Sequence, residues 1–312
     1  MRLLVTGADG FVGRWLVRTA RAEGHGVVAA ILPGAPLPAE WHAVDGMQPV
    51  EIVRADFRQE EDVKHLGHLE ADAVVHLAAI ASGAAARENP DAAMRVNGVM
   101  TAYFADRLGE SHRPRFLFVS TGEVYGRLHD GPIPETARPH PSSPYAISKF
   151  AGEVALGMAW RDAGLPVIIA RAFPHTGPGQ GTAYVLPALA ARLRDARRNG
   201  ARDVKTGNLS GVRDFLDVRD VVRAYLLLLE CGAPGEVYNV ASGQGRRLQA
   251  CFTALAALTG VTSRPVEDAE LLRPDDIPVL IGDASKLRTV TGWSPQIPFE
   301  RTLTDLVNAQ TD

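Results

Sequence analysis

Short, almost wholly apolar runs recur along the first half of the chain, and the stretches between them bring their apolar residues back at helical spacing. The runs are residues 2–6, 27–32, 50–56, 73–79, 115–120 and 167–171. Runs this short and this apolar read as strands buried on both faces, the kind found in parallel sheets. Between them lie an amphipathic stretch at 14–23, a charged helix start at 59–64 and a long helix at 91–109. Strand and helix in alternation predict an α/β fold, a doubly wound parallel sheet. After residue 171 the alternation breaks. Residues 175–180 are rich in Gly and Pro, a helix follows near 187–198, and 212–229 and 237–241 read as a return to the first domain. The remainder suits a smaller C-terminal domain over the sheet edge. The predicted division is 1–173 with 212–241 against 174–211 with 242–312.

Two local patterns add chemistry. Gly7, Gly10 and Gly13 stand between the first strand and the first helix. That placement suits a tight turn, a close backbone approach to a pyrophosphate and a helix N-terminus aimed at phosphate. The chain has six tyrosines and only four lysines, and Tyr145 alone has a lysine, Lys149, four residues on. Ser142, Ser143 and Pro144 precede it as a helix start, a cap followed by proline in the first turn. Positions i and i+4 of a helix lie about 5–6 Å apart on one face. A neighbouring ammonium favours phenolate and is expected to lower the tyrosine pKa from its usual ~10. Such a pair exchanges a proton with a carbonyl or alcohol oxygen.

Other positions leave alternatives open. An acid at the end of the second strand would mark NAD and an arginine NADP; Leu32, Pro33, Gly34 and Ala35 are neither. Asp56, ending the third strand, either accepts a hydrogen bond from adenine or merely closes the strand. Asn97, inside the long helix, either bonds a neighbouring strand or faces solvent. Thr121 and Glu123 fall at a strand's C-terminal end, the ligand edge of an open parallel sheet.

Composition narrows the class. Net charge is −3 over 312 residues, with no basic excess of the kind nucleic-acid binders carry. Cys231 and Cys251 have no metal or redox spacing and suit a reduced, cytoplasmic protein. No metal is expected. The N-terminus has no signal-peptide pattern, and the leucine run at 226–229 is far below the ~18 residues of a membrane span.

Over nearly its whole length the chain resembles the extended short-chain dehydrogenase/reductase family, which has a Rossmann domain. The resemblance rests on the glycine loop, Leu77-Ala78-Ala79, Thr121 with Val124-Tyr125-Gly126, Tyr145 with Lys149, and Arg213-Asp214-Phe215 with Val218 and Asp220. It implies NAD or NADP as cofactor, held by Gly7, Gly10, Phe11, Val12, Gly13, Asp56, Phe57, Leu77, Ala78, Ala79, Tyr145 and Lys149. It implies Tyr145 as proton donor or acceptor, Lys149 on the nicotinamide ribose, and Thr121 on the substrate oxygen. Residues 175–180, 207–209 with 213–220, and 273–278 with 282–283 narrow the resemblance to members acting on GDP-sugars, most of all the GDP-4-dehydro-6-deoxy-D-mannose reductases. The substrate side would then be Ser82, Thr121, Glu123, His175, Asn208, Arg213, Arg273 and Asp276. The two arginines suit a diphosphate. The family also implies a homodimer formed through helices 91–109 and 143–164.

Two features bear on the reaction. Arg171-Ala172-Phe173-Pro174-His175 carries proline where the family pattern, Arg-Pro-Phe-Asn-His, has an asparagine amide. Glu123 lies where the 4,6-dehydratases of the family keep the base that acts at C5. The reading favoured is reduction of the C4 ketone of a GDP-4-keto-6-deoxyhexose. The alternatives are a GDP-mannose 4,6-dehydratase type of lyase and an epimerase.

Overall fold

The computed structural model describes residues 1–38, 41, 49–272, 274 and 276–309. The first half runs β1 (Arg2–Thr6), α1 (Phe11–Ala22), β2 (Gly26–Ile31), β3 (Glu51–Arg54), α2 (Glu60–Gly67), β4 (Ala73–His76), α3 (Gly83–Glu88) and α4 (Pro90–Met94). A π-helical turn, Arg95–Met100, then joins α4 to α5 (Thr101–Glu110), which leads to β5 (Arg115–Thr121). Next come β6 (Pro132–Ile133), α6 (Pro144–Ala163), β7 (Val167–Ala172), β8 (His175–Thr176), α7 (Val185–Asn199) and β9 (Asp203–Thr206). The chain continues through β10 (Val212–Asp214), β11 (Leu216–Asp217), α8 (Val218–Cys231), β12 (Val237–Val240), β13 (Gly245–Arg247) and α9 (Leu248–Thr259). It closes with β14 (Arg264–Glu267), β15 (Val279–Gly282), α10 (Ser285–Thr291) and α11 (Phe299–Ala309).

Seven strands form the central sheet in the order β12-β7-β5-β4-β1-β2-β3. Every pairing in it is parallel. Side-chain alternation along the apolar runs sorts them onto two faces. Leu3, Val5, Leu117 and Ile168 join one core; Leu4, Phe116, Phe118, Val167 and Ile169 join the other. Each face needs a helical layer, which makes the sheet doubly wound. The strand order reverses direction between β1 and β4, so their C-terminal ends flank the crevice where such sheets bind ligands.

A third core gathers Leu189, Leu193, Leu255, Leu303 and Leu306 from α7, α9 and α11. The segment at 212–214 does not rejoin the large sheet. β10 pairs instead with β13 and β15 in a separate four-stranded sheet, while α8 and β12 do return to the large one. The run at 212–217 is too short for its apolar pattern to report which sheet it joins. No described helix is long and apolar enough to cross a membrane.

Candidate active site

A cavity of about 670 Å³ opens at the C-terminal ends of β1, β4, β5 and β7. One end is the glycine loop. Gly7 has φ 65°, and a Cβ there would lie 2.8 Å from the Ala78 nitrogen; a Cβ on Gly13 would lie 2.6 Å from the Ala8 Cα. Any side chain at Gly7 or Gly13 would push β4's outgoing turn or α1 away. Gly10 caps α1 without a side-chain hydrogen bond, and the first turn of α1 holds no acidic residue. The exposed amides of that turn are thus left to an anion, which fits a dinucleotide pyrophosphate.

Phe11, Val12, Leu77, Ala78 and Ala79 line the same cavity, as do Asp56 and Phe57. Asp56 has a second job: its carboxylate accepts from Arg58 Nη2 at 2.6 Å and from Arg58 Nε at 2.9 Å and 3.0 Å. The arginine holds Asp56 below the usual carboxylate range.

Ser143 caps α6 by accepting from the Ala146 N–H at 3.1 Å, with Pro144 in the first turn. Tyr145 and Lys149 project into the cavity beside Thr121 and Glu123. Thr121 accepts from the Glu123 N–H at 3.2 Å, which seats the short helical turn Gly122–Tyr125.

The electrostatics depart from the lowered phenol expected from a lysine four residues away. Tyr145 keeps part of its surface open to the cavity, yet burial pushes its pKa well up. Glu123 adds to that, Tyr184 and Tyr225 add less, and a hydrogen bond with Thr121 opposes it. Lys149 is 2% exposed, with its Nζ 4.1 Å from the centre of the Phe118 ring. Burial brings its pKa down to about 7, against the opposing pull of Glu153. Desolvation therefore wins at both groups, and a half-charged lysine gives the phenolate little support.

Lys149→Met is expected to raise the thermal stability of the cofactor-free protein. The unfolded chain holds the lysine proton to about 10.5, whereas the folded protein releases it near 7. The native state thus carries the full penalty of a buried ammonium below pH 7, and none above the unfolded value. The gain should be largest at and below pH 7 and fade toward pH 10.5. Thermal unfolding across that range checks it; a gain independent of pH would remove the buried charge as its cause.

Several groups under the site escape sequence reading. Glu153, one turn beyond Lys149, pairs with Arg171 of β7 at 2.6 Å in full burial and also accepts from Ser120. A charged residue inside a buried strand demands a partner, and that was the available signal. Asn97 is buried, not solvent-facing. Its side chain accepts from Ile80 N–H at 2.8 Å and donates to Ile80 C=O at 3.1 Å and to Ser148 Oγ at 2.9 Å.

On the substrate side the expected residues divide. Thr121, Glu123, His175 and Arg213 line the cavity, joined by Pro174 and by Tyr184, which sequence reading missed; among the described residues Ser82, Asn208 and Asp276 do not. Ser82 caps α3, and Asn208 accepts from the Ser210 N–H. Asp276 holds Arg213 at 2.6 Å. His175 donates from Nδ1 to the Phe173 carbonyl and stacks on Phe11. Arg273 lies outside the described residues.

The model of the NAD dependent epimerase/dehydratase family matches residues 3–241. The chain belongs to that family. Its members are enzymes that work with a nicotinamide dinucleotide, in keeping with the glycine loop and an α1 N-terminus that no side chain caps. Within the family, the chain is 34% identical to a GDP-6-deoxy-D-mannose reductase of Pseudomonas aeruginosa over 97% of this chain and 94% of that one. It is 30% identical to a UDP-glucose 4-epimerase of Mycolicibacterium smegmatis over 95% and 94%. Among solved family structures, a Pseudomonas aeruginosa protein complexed with NADPH superposes with a TM-score of 0.83 at 31% identity, covering 99% of this chain and 98% of that one.

Proposed function

We propose that this family member reduces the C4 ketone of a GDP-4-keto-6-deoxyhexose with NADPH or NADH, as a cytoplasmic homodimer. The bound nicotinamide would supply hydride to C4. The rest falls to the chain. Thr121 donates to the ketone oxygen and keeps it beside Tyr145. Tyr145 then gives its proton to that oxygen as it gains negative charge. Arg213, anchored by Asp276, offers its guanidinium to the diphosphate. Gly7, Gly10, Gly13 and the α1 N-terminus hold the cofactor.

One observation carries the choice of reduction: the chain is 34% identical to a GDP-6-deoxy-D-mannose reductase over 97% of its length. Ketone reduction uses a protonated phenol, whereas dehydratase and epimerase reactions begin by taking a proton from the C4 hydroxyl, and burial and Glu123 both push Tyr145 toward its protonated form. The test is loss of the nicotinamide absorbance with GDP-4-keto-6-deoxymannose beside a GDP-mannose control. Cofactor oxidation with the keto-sugar is expected. Conversion of GDP-mannose to a keto-sugar with no added reductant would replace this reading by the lyase.

Glu123 separates the two chemistries residue by residue. In a reductase Glu123→Gln is expected to retain turnover and to move the alkaline limb of its pH profile downward, because a negative charge that raises the Tyr145 pKa has gone. Complete loss of turnover would make Glu123 the base at C5.

The dimer is supported by one apolar surface. Met94, Val99, Ile147, Val154 and Met158 are exposed on α4, the π-helical turn and α6. Large exposed apolar clusters of this kind mark interaction sites. Val154→Lys is expected to sediment as a monomer; an unchanged dimer would place the interface elsewhere.

A further inference from the structure

We propose that His76 is a positioning residue: it ties the turn that carries the dinucleotide loop to the π-helical turn that steadies the Tyr145 helix. The proposal rests on the reading that the cavity holds a nicotinamide dinucleotide. His76 ends β4, opposite Thr6 of β1, and is wholly buried. Neither residue lines the cavity, nor does Thr101. Yet the three make one file of hydrogen bonds. His76 Nδ1 meets Thr6 Oγ1 at 2.8 Å, and His76 Nε2 meets Thr101 Oγ1 at 3.0 Å.

One end of the file fixes a proton. Thr101 Oγ1 donates to the Val96 carbonyl at 3.4 Å and so receives the Nε2 proton. Burial, and the charge of Lys149 after it, keep the His76 pKa well below the usual histidine value, which leaves the ring neutral and Nδ1 bare. Thr6 then donates to Nδ1 while its Oγ1 accepts from the Ala78 N–H at 3.2 Å.

Both ends of the file reach the site. Ala78 and Val96 line the cavity. Val96 and Asn97 share the π-helical turn, and Asn97 bonds Ser148, which donates to the Tyr145 carbonyl at 2.8 Å. A π turn inside an α-helix is a local departure that recurs at functional sites. Packing alone gives no reason for an imidazole here. The ring is surrounded by Phe57, Phe104, Phe116 and Phe118, with centroids 4.8 Å to 5.8 Å away, a cage that a phenylalanine would fill.

The test is titration of NADPH and NADH, followed by cofactor fluorescence, in proteins whose folding is confirmed by circular dichroism. Thr101→Val, Thr6→Val and His76→Phe are each expected to weaken binding roughly three- to tenfold, the worth of about one hydrogen bond. Thr101→Ser should restore wild-type affinity. The Thr6→Val/Thr101→Val double variant should bind no worse than its weaker parent, because one break already interrupts the file. A merely structural role lowers the melting temperature and leaves affinity alone. Folded Thr101→Val or His76→Phe with wild-type affinity overturns the proposal, and so do losses that multiply in the double variant. Should the threonine variants not fold, His76→Phe decides the question, since its ring fits the cage. A wild-type protein that binds neither cofactor would overturn the cavity reading and this proposal together.

Discussion

Tyr145→Phe is expected to bind cofactor with wild-type affinity and to lose turnover by about 10²–10⁴. The substitution removes one oxygen and leaves the ring, so the helix start at Ser143 and Pro144 and the packing of α6 stay as they are. What disappears is the phenol that α6 places in the cavity with Thr121 and Glu123. The loss should appear in kcat more than in KM, since a proton delivered only as the oxygen gains charge acts on the transition state. Steady-state kinetics beside a cofactor titration measures both. Near-normal turnover would remove Tyr145 from the proton-transfer role, whatever the substrate.

That prediction was largely legible in the sequence because its ingredients are local. A helix cap, a proline and a four-residue spacing lie within one short stretch, and the glycine loop is equally contiguous. The parallel sheet was legible for a related reason: β1, β2, β4, β5 and β7 are buried on both faces, so their runs are mostly apolar, with Arg171 and His76 among the buried polar exceptions. The electrostatics were not legible. Spacing placed Lys149 beside Tyr145 but said nothing of how deep both would lie, and burial set the sign of each pKa shift. Asn97 shows the same limit. Its four-atom amide finds Ile80 and Ser148 only once α6 packs against the π-helical turn. The resemblance supplied Ser82, Asn208 and Asp276, yet their side chains are engaged locally or with Arg213 at the cavity's margin. The turn to a second sheet at β10 was hidden because so short a strand carries no pattern of its own.

Glu153→Leu is expected to destabilise the protein by ~3–5 kcal/mol, the usual consequence of stripping a buried charge of its partner. The carboxylate takes Nη2 of Arg171 at 2.6 Å and Nε at 3.1 Å and 3.2 Å, with both side chains almost fully buried. The guanidinium also lies over the Tyr125 ring, 4.8 Å from its centre, and that contact alone cannot replace an anion. Arg171 does not escape by losing its proton, since a guanidinium stays protonated in proteins even without a partner. The variant therefore leaves a cation between β5, β7 and α6 with nowhere to go. The same carboxylate holds up the Lys149 pKa, so its removal should drive that lysine further toward the neutral form at pH 7. One change then acts on stability and on the Lys149 charge for two separate reasons, and the second substitution tells them apart. Adding Arg171→Met to Glu153→Leu removes the orphaned charge and should recover most of the lost stability. It should not recover the charge on Lys149. Urea denaturation of both variants, beside turnover of the double variant, measures the two effects separately. A single variant within about 1 kcal/mol of wild type would mean that water or relaxation reaches Arg171, and that the pair is not the support beneath the site that its burial implies.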